Sequence, residues 1–149
     1  MWNQLDGLTG LLSQKSYLNR TLKLQPEDKM LIVLDLDNFK YINDTYGHQA
    51  GDQCLKVIAE CLKKAYSRYG NCYRIGGDEF CVLFRKPEKE KYCREKFYWI
   101  IEKRKKSLHM LPGASYGSAL IEEQESISDT KARADANMYA NKKARKQAR

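Results

Sequence analysis

At 149 residues, with 42% hydrophobic residues and a formal net charge of +8, the chain suits one compact domain over residues 1–149 with the composition of an ordinary globular protein. No apolar run approaches the roughly 20 residues of a membrane span. No charged-then-apolar leader resembles a secretory signal, so the expected setting is cytoplasmic, with no membrane contact by this domain. Cysteines 54, 61, 72, 81 and 93 are odd in number and never form a C-x-x-C pair, which argues against a disulfide framework or a structural zinc site.

In chain order, Ser13 is placed to cap a helix running to about Leu24, with Pro26 beyond its end. Met30-Leu31-Ile32-Val33-Leu34 is the most apolar run, and the continuous stretch to Leu36 predicts a central strand covered on both faces. Asp37 is read as the N-cap of a short helix through Asn43 that Gly47 ends. A longer helix is predicted from about Asp52 to Tyr69, stopped by Gly70, with Leu55, Ile58, Leu62 and Ala65 at helical spacing.

Next come strands at Cys72–Ile75 and Phe80–Phe84, joined by a two-residue Gly76-Gly77 turn that requires positive φ. The charged stretch from Glu88 to Ser107 carries a stripe of Tyr92, Phe97, Ile100 and Ile101. Pro112-Gly113 then precedes a strand from Ala114 to Ile121, and a last helix is expected over Ser128–Lys146. This order implies an α+β fold: a central sheet, antiparallel or mixed, with helices packed on it and no second domain. The last 19 residues hold seven Lys and Arg against one acid, Asp135, so most of the net charge is local. Such a helix suits a nucleotide triphosphate or plain solvation; nucleic acid is not the expected partner, since Tyr139 is its only aromatic.

Two acidic groups stand out. Asp35-Leu36-Asp37 ends the apolar strand, and Asp78-Glu79 follows the paired glycines. A carboxylate ending a buried strand is costly unless neutralised, and carboxylates facing one another repel unless a cation lies between them. Hard divalent ions favour such oxygen donors, so this is read as a metal site. By strand alternation only one of Asp78 and Glu79 shares a face with Asp35.

The blocks Asp6-Gly7-Leu8-Thr9-Gly10-Leu11, Asp35 to His48 with Gly51-Asp52, Arg74-Ile75-Gly76-Gly77-Asp78-Glu79-Phe80, and Ala134 to Lys142 together resemble the GGDEF domain, the catalytic module of diguanylate cyclases, in the family's order. The resemblance implies a palm-like fold of the nucleotidyl cyclase (ferredoxin-like) kind. It also implies a homodimer in which two GTP-loaded domains face each other to make cyclic di-GMP and two pyrophosphates. It assigns Asp35, Asp78 and the Leu36 carbonyl to magnesium, with manganese as a substitute, and makes Asp78 the base, with Glu79 and Lys40 as further catalytic residues. Asn43, His48 and Asp52 fall at nucleotide-contacting positions, with Asn43 and Asp52 at the guanine. Lys142 and Lys146 fall at phosphate-binding positions. From local pattern alone, Asp52 reads equally as a helix N-cap and Asn43 as a helix-end residue.

The chain departs from the family pattern in three places. Arg145-Lys146 stands where glycine-arginine is usual, Ser67 and Gly70 stand where an Arg-x-x-Asp feedback motif is common, and Ser13-Gln14 replaces asparagine-arginine. The first exchanges a bidentate fork for a point charge, and the second implies that the usual feedback site is absent. The competing reading is a catalytically silent domain that binds GTP or a partner and regulates an attached module. A lone cyclase domain implies a longer signalling protein, with a sensor or dimerisation module joined through Met1-Trp2-Asn3-Gln4 and a parent that membrane anchoring would also fit.

Overall fold

The computed structural model describes residues 4–147, with side chains described through residue 144. Met1, Trp2 and Asn3 of the expected upstream junction lie outside the described residues, as do the side chains of Arg145 and Lys146. The elements are α1 (Gln14–Leu22), β1 (Met30–Leu36), α2 (Phe39–Tyr46), α3 (His48–Tyr66), β2 (Gly70–Arg74), β3 (Glu79–Phe84), α4 (Glu90–Lys105), β4 (Ala114–Leu120) and α5 (Ile127–Gln147). A 3-10 turn at Pro87–Lys89 leads into α4.

The four strands form one sheet in the order β2-β3-β1-β4, and every pairing is antiparallel. From β1 onward this is the split β-α-β-β-α-β pattern of ferredoxin-like folds, so the α+β expectation holds and the sheet is not mixed. The continuous apolar run of β1 follows from its central place. Ile32, Leu34 and Leu36 face one layer, built on α3 and α4, while Leu31 and Val33 face the other, with Tyr17 of α1 and Ala134 and Met138 of α5. Among the described residues, no helix is long and apolar enough to cross a membrane. All five cysteines are free and buried.

Several boundaries differ from expectation for local reasons. Ser13 caps α1 as predicted, its side chain accepting from the Ser16 amide. At the N-cap of α2, however, stands Asn38, which adopts a left-handed φ of 55° and makes no side-chain cap. Asp37 is therefore not the N-cap. Its Oδ1 accepts from the Ser115 hydroxyl at 2.6 Å, and its amide donates to the Gly113 carbonyl at 2.9 Å. This acid ties the end of β1 to β4.

α3 begins at His48 directly after Gly47, whose φ of 90° ends α2, so Asp52 lies in the second turn and is not a cap. Gly70 belongs to β2, where a Cβ would stand 2.7 Å from Val82 Cγ1 and 2.8 Å from the Leu83 carbonyl oxygen. On α4 the buried positions are Cys93, Phe97 and Ile101, whereas Tyr92 of the expected stripe is exposed.

Candidate active site

The acidic centre forms where β1 ends beside the β2-β3 hairpin. In the antiparallel register Asp35 pairs with Glu79, and directly opposed residues project to the same sheet face. Glu79 therefore flanks Asp35. Asp78 precedes β3, so strand alternation does not govern it; its carbonyl accepts from the Leu36 amide at 3.2 Å. Burial pushes the Asp35 carboxyl up to about 6, and the Asp78 and Glu79 charges push the same way against the opposing pull of Lys142. Both hairpin acids thus act on Asp35, whereas the alternation argument allowed only one.

The hairpin tip is wider than a two-residue turn. Arg74 pairs with Phe80, and the amides of Ile75 and Gly76 both donate to the Glu79 carbonyl, at 2.9 and 3.3 Å. Among glycines only Gly10 and Gly47 have positive φ, so Gly76 and Gly77 do not adopt the mirror-turn geometry that the sequence suggested. Arg74 braces the loop instead. Its guanidinium donates to the Gly76 and Gly77 carbonyls at 2.8–3.2 Å and pairs with Asp6 at 3.2 Å. Asp6 in turn accepts from the amide and hydroxyl of Thr9, so the N-terminal loop clamps the tip.

The cations come from α5. Its docking on β4 is close because Gly117 has no Cβ; one would overlap the Ala134 carbonyl and Met138 amide and stand 2.8 Å from Met138 Cα. Asn137 and Asn141 donate to the Ser118 and Tyr116 carbonyls at 2.8 and 2.9 Å. Held in this way, Lys142 sets its Nζ 3.6 Å from Asp35 Oδ2. Lys131 lies 3.1 Å from Glu79 Oε1 and 2.9 Å from Asp135 Oδ2. Neither Lys131 nor Arg74 was singled out from sequence. Arg74 carried a signal in its place before the glycines, whereas Lys131 was one basic residue among several on α5.

The remaining predicted residues lie on α2 and α3. Lys40 occupies the first turn of α2 and is exposed, as are His48 and Asp52, one turn apart on α3. Asn43 is half-buried, and its Oδ1 occupies the place where Gly51 would carry a Cβ, with Phe39 close by. The glycine before Asp52 therefore makes room for the Asn43 amide, bringing these two residues to neighbouring positions across the α2-α3 junction. Beside this region a cavity of about 570 Å³ opens between α2, α4 and the start of β4, with Asp37, Tyr41, Tyr98, Lys105 and Lys142 among its walls.

Among the described residues no group of three or more His, Cys, Asp or Glu side chains is already arranged as a metal cage. The donor set nonetheless fits a hard divalent ion. The half-buried Asp35 carboxyl holds its proton to about 6 chiefly through burial and then the nearby Asp78 charge, and a cation between these acids relieves both costs.

The all-antiparallel β-α-β-β-α-β sheet thus carries acids at the end of its central strand and in the adjoining hairpin, with lysines of the last helix beside them. The family model described as diguanylate cyclase, GGDEF domain matches residues 3–148, and the chain belongs to that family. It is 32% identical to the probable diguanylate cyclase DgcJ of Escherichia coli K12 over 94% of this chain and 29% of that protein. It is also 35% identical to E. coli diguanylate cyclase DgcZ over 62% of this chain and 32% of that protein. The chain thus spans about a third or less of these relatives' length. Among solved structures it is similar to the GGDEF domain of DgcB from Caulobacter crescentus in complex with c-di-GMP. That likeness has a TM-score of 0.79 at 30% identity, covering 94% of this chain and 90% of that one.

Proposed function

We propose that the chain is a diguanylate cyclase domain that joins two GTP molecules into cyclic di-GMP, one GTP being held by each of two facing copies. The observation that carries this reading is the register of Asp35 with Glu79, with Asp78 beside them and Lys142 3.6 Å from Asp35. In each half-reaction the 3′-oxygen of one GTP forms a bond to the α-phosphorus of the other, the bond to pyrophosphate breaks, and the 3′-hydroxyl proton passes to Asp78. Repeating the step closes the ring and releases the second pyrophosphate.

Asn43 and Asp52 read the base, because guanine presents N–H donors to a carboxylate and acceptors to an amide; His48, one turn before Asp52, borders the nucleotide. Lys40, Lys142 and Lys146 hold the triphosphate. Glu79 supports the acidic centre. Asp35, Asp78 and the Leu36 carbonyl would hold magnesium, or manganese in its place, which when bound draws charge from the phosphates. The two-copy arrangement, an upstream sensor or dimerisation module, and a cytoplasmic setting belong to the same proposal.

The test is to incubate the concentrated chain with GTP and magnesium and to follow cyclic di-GMP by chromatography. Product is expected, and Asp78→Ala should abolish it. A wild-type chain that binds GTP yet yields no cyclic di-GMP at any protein concentration refutes the cyclase reading in favour of a silent binding domain.

A further inference from the structure

Lys131 has no part in the reaction as described, yet among the described residues it is the cation that pairs with Glu79. Its Nζ bridges Glu79 Oε1 at 3.1 Å and Asp135 Oδ2 at 2.9 Å, and its side chain is only 26% exposed. α5 fixes it there. Thr130, Ala134 and Met138 on the neighbouring helix positions are buried, and the Thr130 hydroxyl is tied to Glu125 Oε1 at 2.7 Å, so the helix cannot roll the lysine away. Asp135 holds capacity in reserve, because its Oδ1 is buried and, among the described residues, has no hydrogen-bond partner. An ammonium group has three donors, and an acceptor one helical turn away can keep it when its first partner leaves.

We propose that Lys131 is a displaceable internal counter-cation for Glu79, holding that carboxylate in the unloaded domain and retreating onto Asp135 when a divalent ion binds. The inference rests on the metal reading given above. Glu79 pairs in register with Asp35, so without a cation nearby two carboxylates face one another across the strand pair. A second positive charge at the acidic centre repels the ammonium and competes with it for Glu79, which loosens that contact. Lys131 sets the threshold of metal concentration at which the site loads, and Asp135 makes the displacement reversible.

The experiment is a titration of the chain with Mn²⁺ alone, free aquo-Mn²⁺ being read by its electron paramagnetic resonance signal, with thermal melts confirming that each variant is folded. Lys131→Met and Lys131→Gln should each tighten Mn²⁺ binding about fivefold, the scale of one partly exposed ion pair. In a Glu79→Gln background the same Lys131→Met change should alter the Kd by less than about twofold, because the effect runs through that carboxylate. Asp135→Asn should weaken binding only while Lys131 is present. Equal tightening in the Glu79→Gln background would reduce the effect to through-space charge and overturn the proposal. So would a Lys131→Met Kd equal to or weaker than wild type in a chain whose Mn²⁺ binding still requires Asp35. Mn²⁺ binding that is undetectable, or indifferent to Asp35→Asn, would instead remove the metal reading itself.

Discussion

Gly51→Ala separates nucleotide recognition from stability. The added Cβ would overlap Asn43 Oδ1, stand 3.0 Å from Asn43 Cγ and lie 3.4 Å from Phe39 Cε1. Only the amide must move, and as the end of a flexible side chain it can rotate toward solvent at little cost. Alanine in a helix is better than glycine by about 1 kcal/mol, and Gly51 is not in a left-handed conformation. The folded domain should therefore be unchanged or up to about 1 kcal/mol more stable. If Asn43 reads the base as proposed, the displaced amide loses that contact; one such contact is worth about 1–3 kcal/mol, so GTP should bind roughly ten- to a hundredfold more weakly. Calorimetric titration with a non-hydrolysable GTP analogue, alongside urea denaturation, measures both. A variant with wild-type affinity would refute the assignment of Asn43 to the base, and one destabilised by several kcal/mol would refute the account of Gly51.

Three further outcomes follow from the packing. Asp35 binds its proton more tightly folded than unfolded, so folding takes up a proton between pH 3.8 and about 6 and ionisation destabilises the metal-free domain as pH rises through that window. Asp35→Asn should thus raise stability at pH 8 by about 2–3 kcal/mol, with the gain fading toward pH 4 in urea melts at both pH values, while cyclase activity is lost. Gly117→Ala drives a methyl group into the backbone of α5, which cannot rotate aside; a loss of at least about 3 kcal/mol is expected in denaturant titration. Arg74→Ala removes the brace between Asp6 and the two glycine carbonyls; amide hydrogen exchange at Ile75 and Gly76 should accelerate well before any global loss of structure.

The strands and most helices were legible because burial dictates their pattern. β1 reads as central from its uninterrupted apolar residues, and its neighbours do cover both faces. The errors arose where geometry replaced composition. Gly47 ends one helix and starts the next, so α3 begins four residues before Asp52 and without an acidic cap. Gly76-Gly77 looked like a mirror turn because paired glycines usually supply positive φ there, whereas Arg74 holds a wider tip closed from beneath. On α4, Tyr92 matched the helical period, yet Cys93 occupies the buried position.

Asp35, Asp78 and Glu79 were visible as carboxylates that no fold requirement explained. Their lysine partners were less accessible to sequence reasoning. Lys142 entered only through a family resemblance, and Lys131 acquires meaning only from the packing of α5 on β4 and β1, which brings its side chain to Glu79.

The buried thiols offer a way to watch the two layers separately. Cys54, Cys61, Cys72 and Cys93 sit in the layer of α3 and α4, whereas Cys81 alone lies beneath α5. Burial pushes Cys72 up to about 12 and raises Cys81 as well, so alkylating reagents meet almost no thiolate until a layer opens. Brief pulses of such a reagent, followed by peptide mass spectrometry, would time the lifting of the lysine-bearing helix at one sulfur and the parting of the opposite layer at four others.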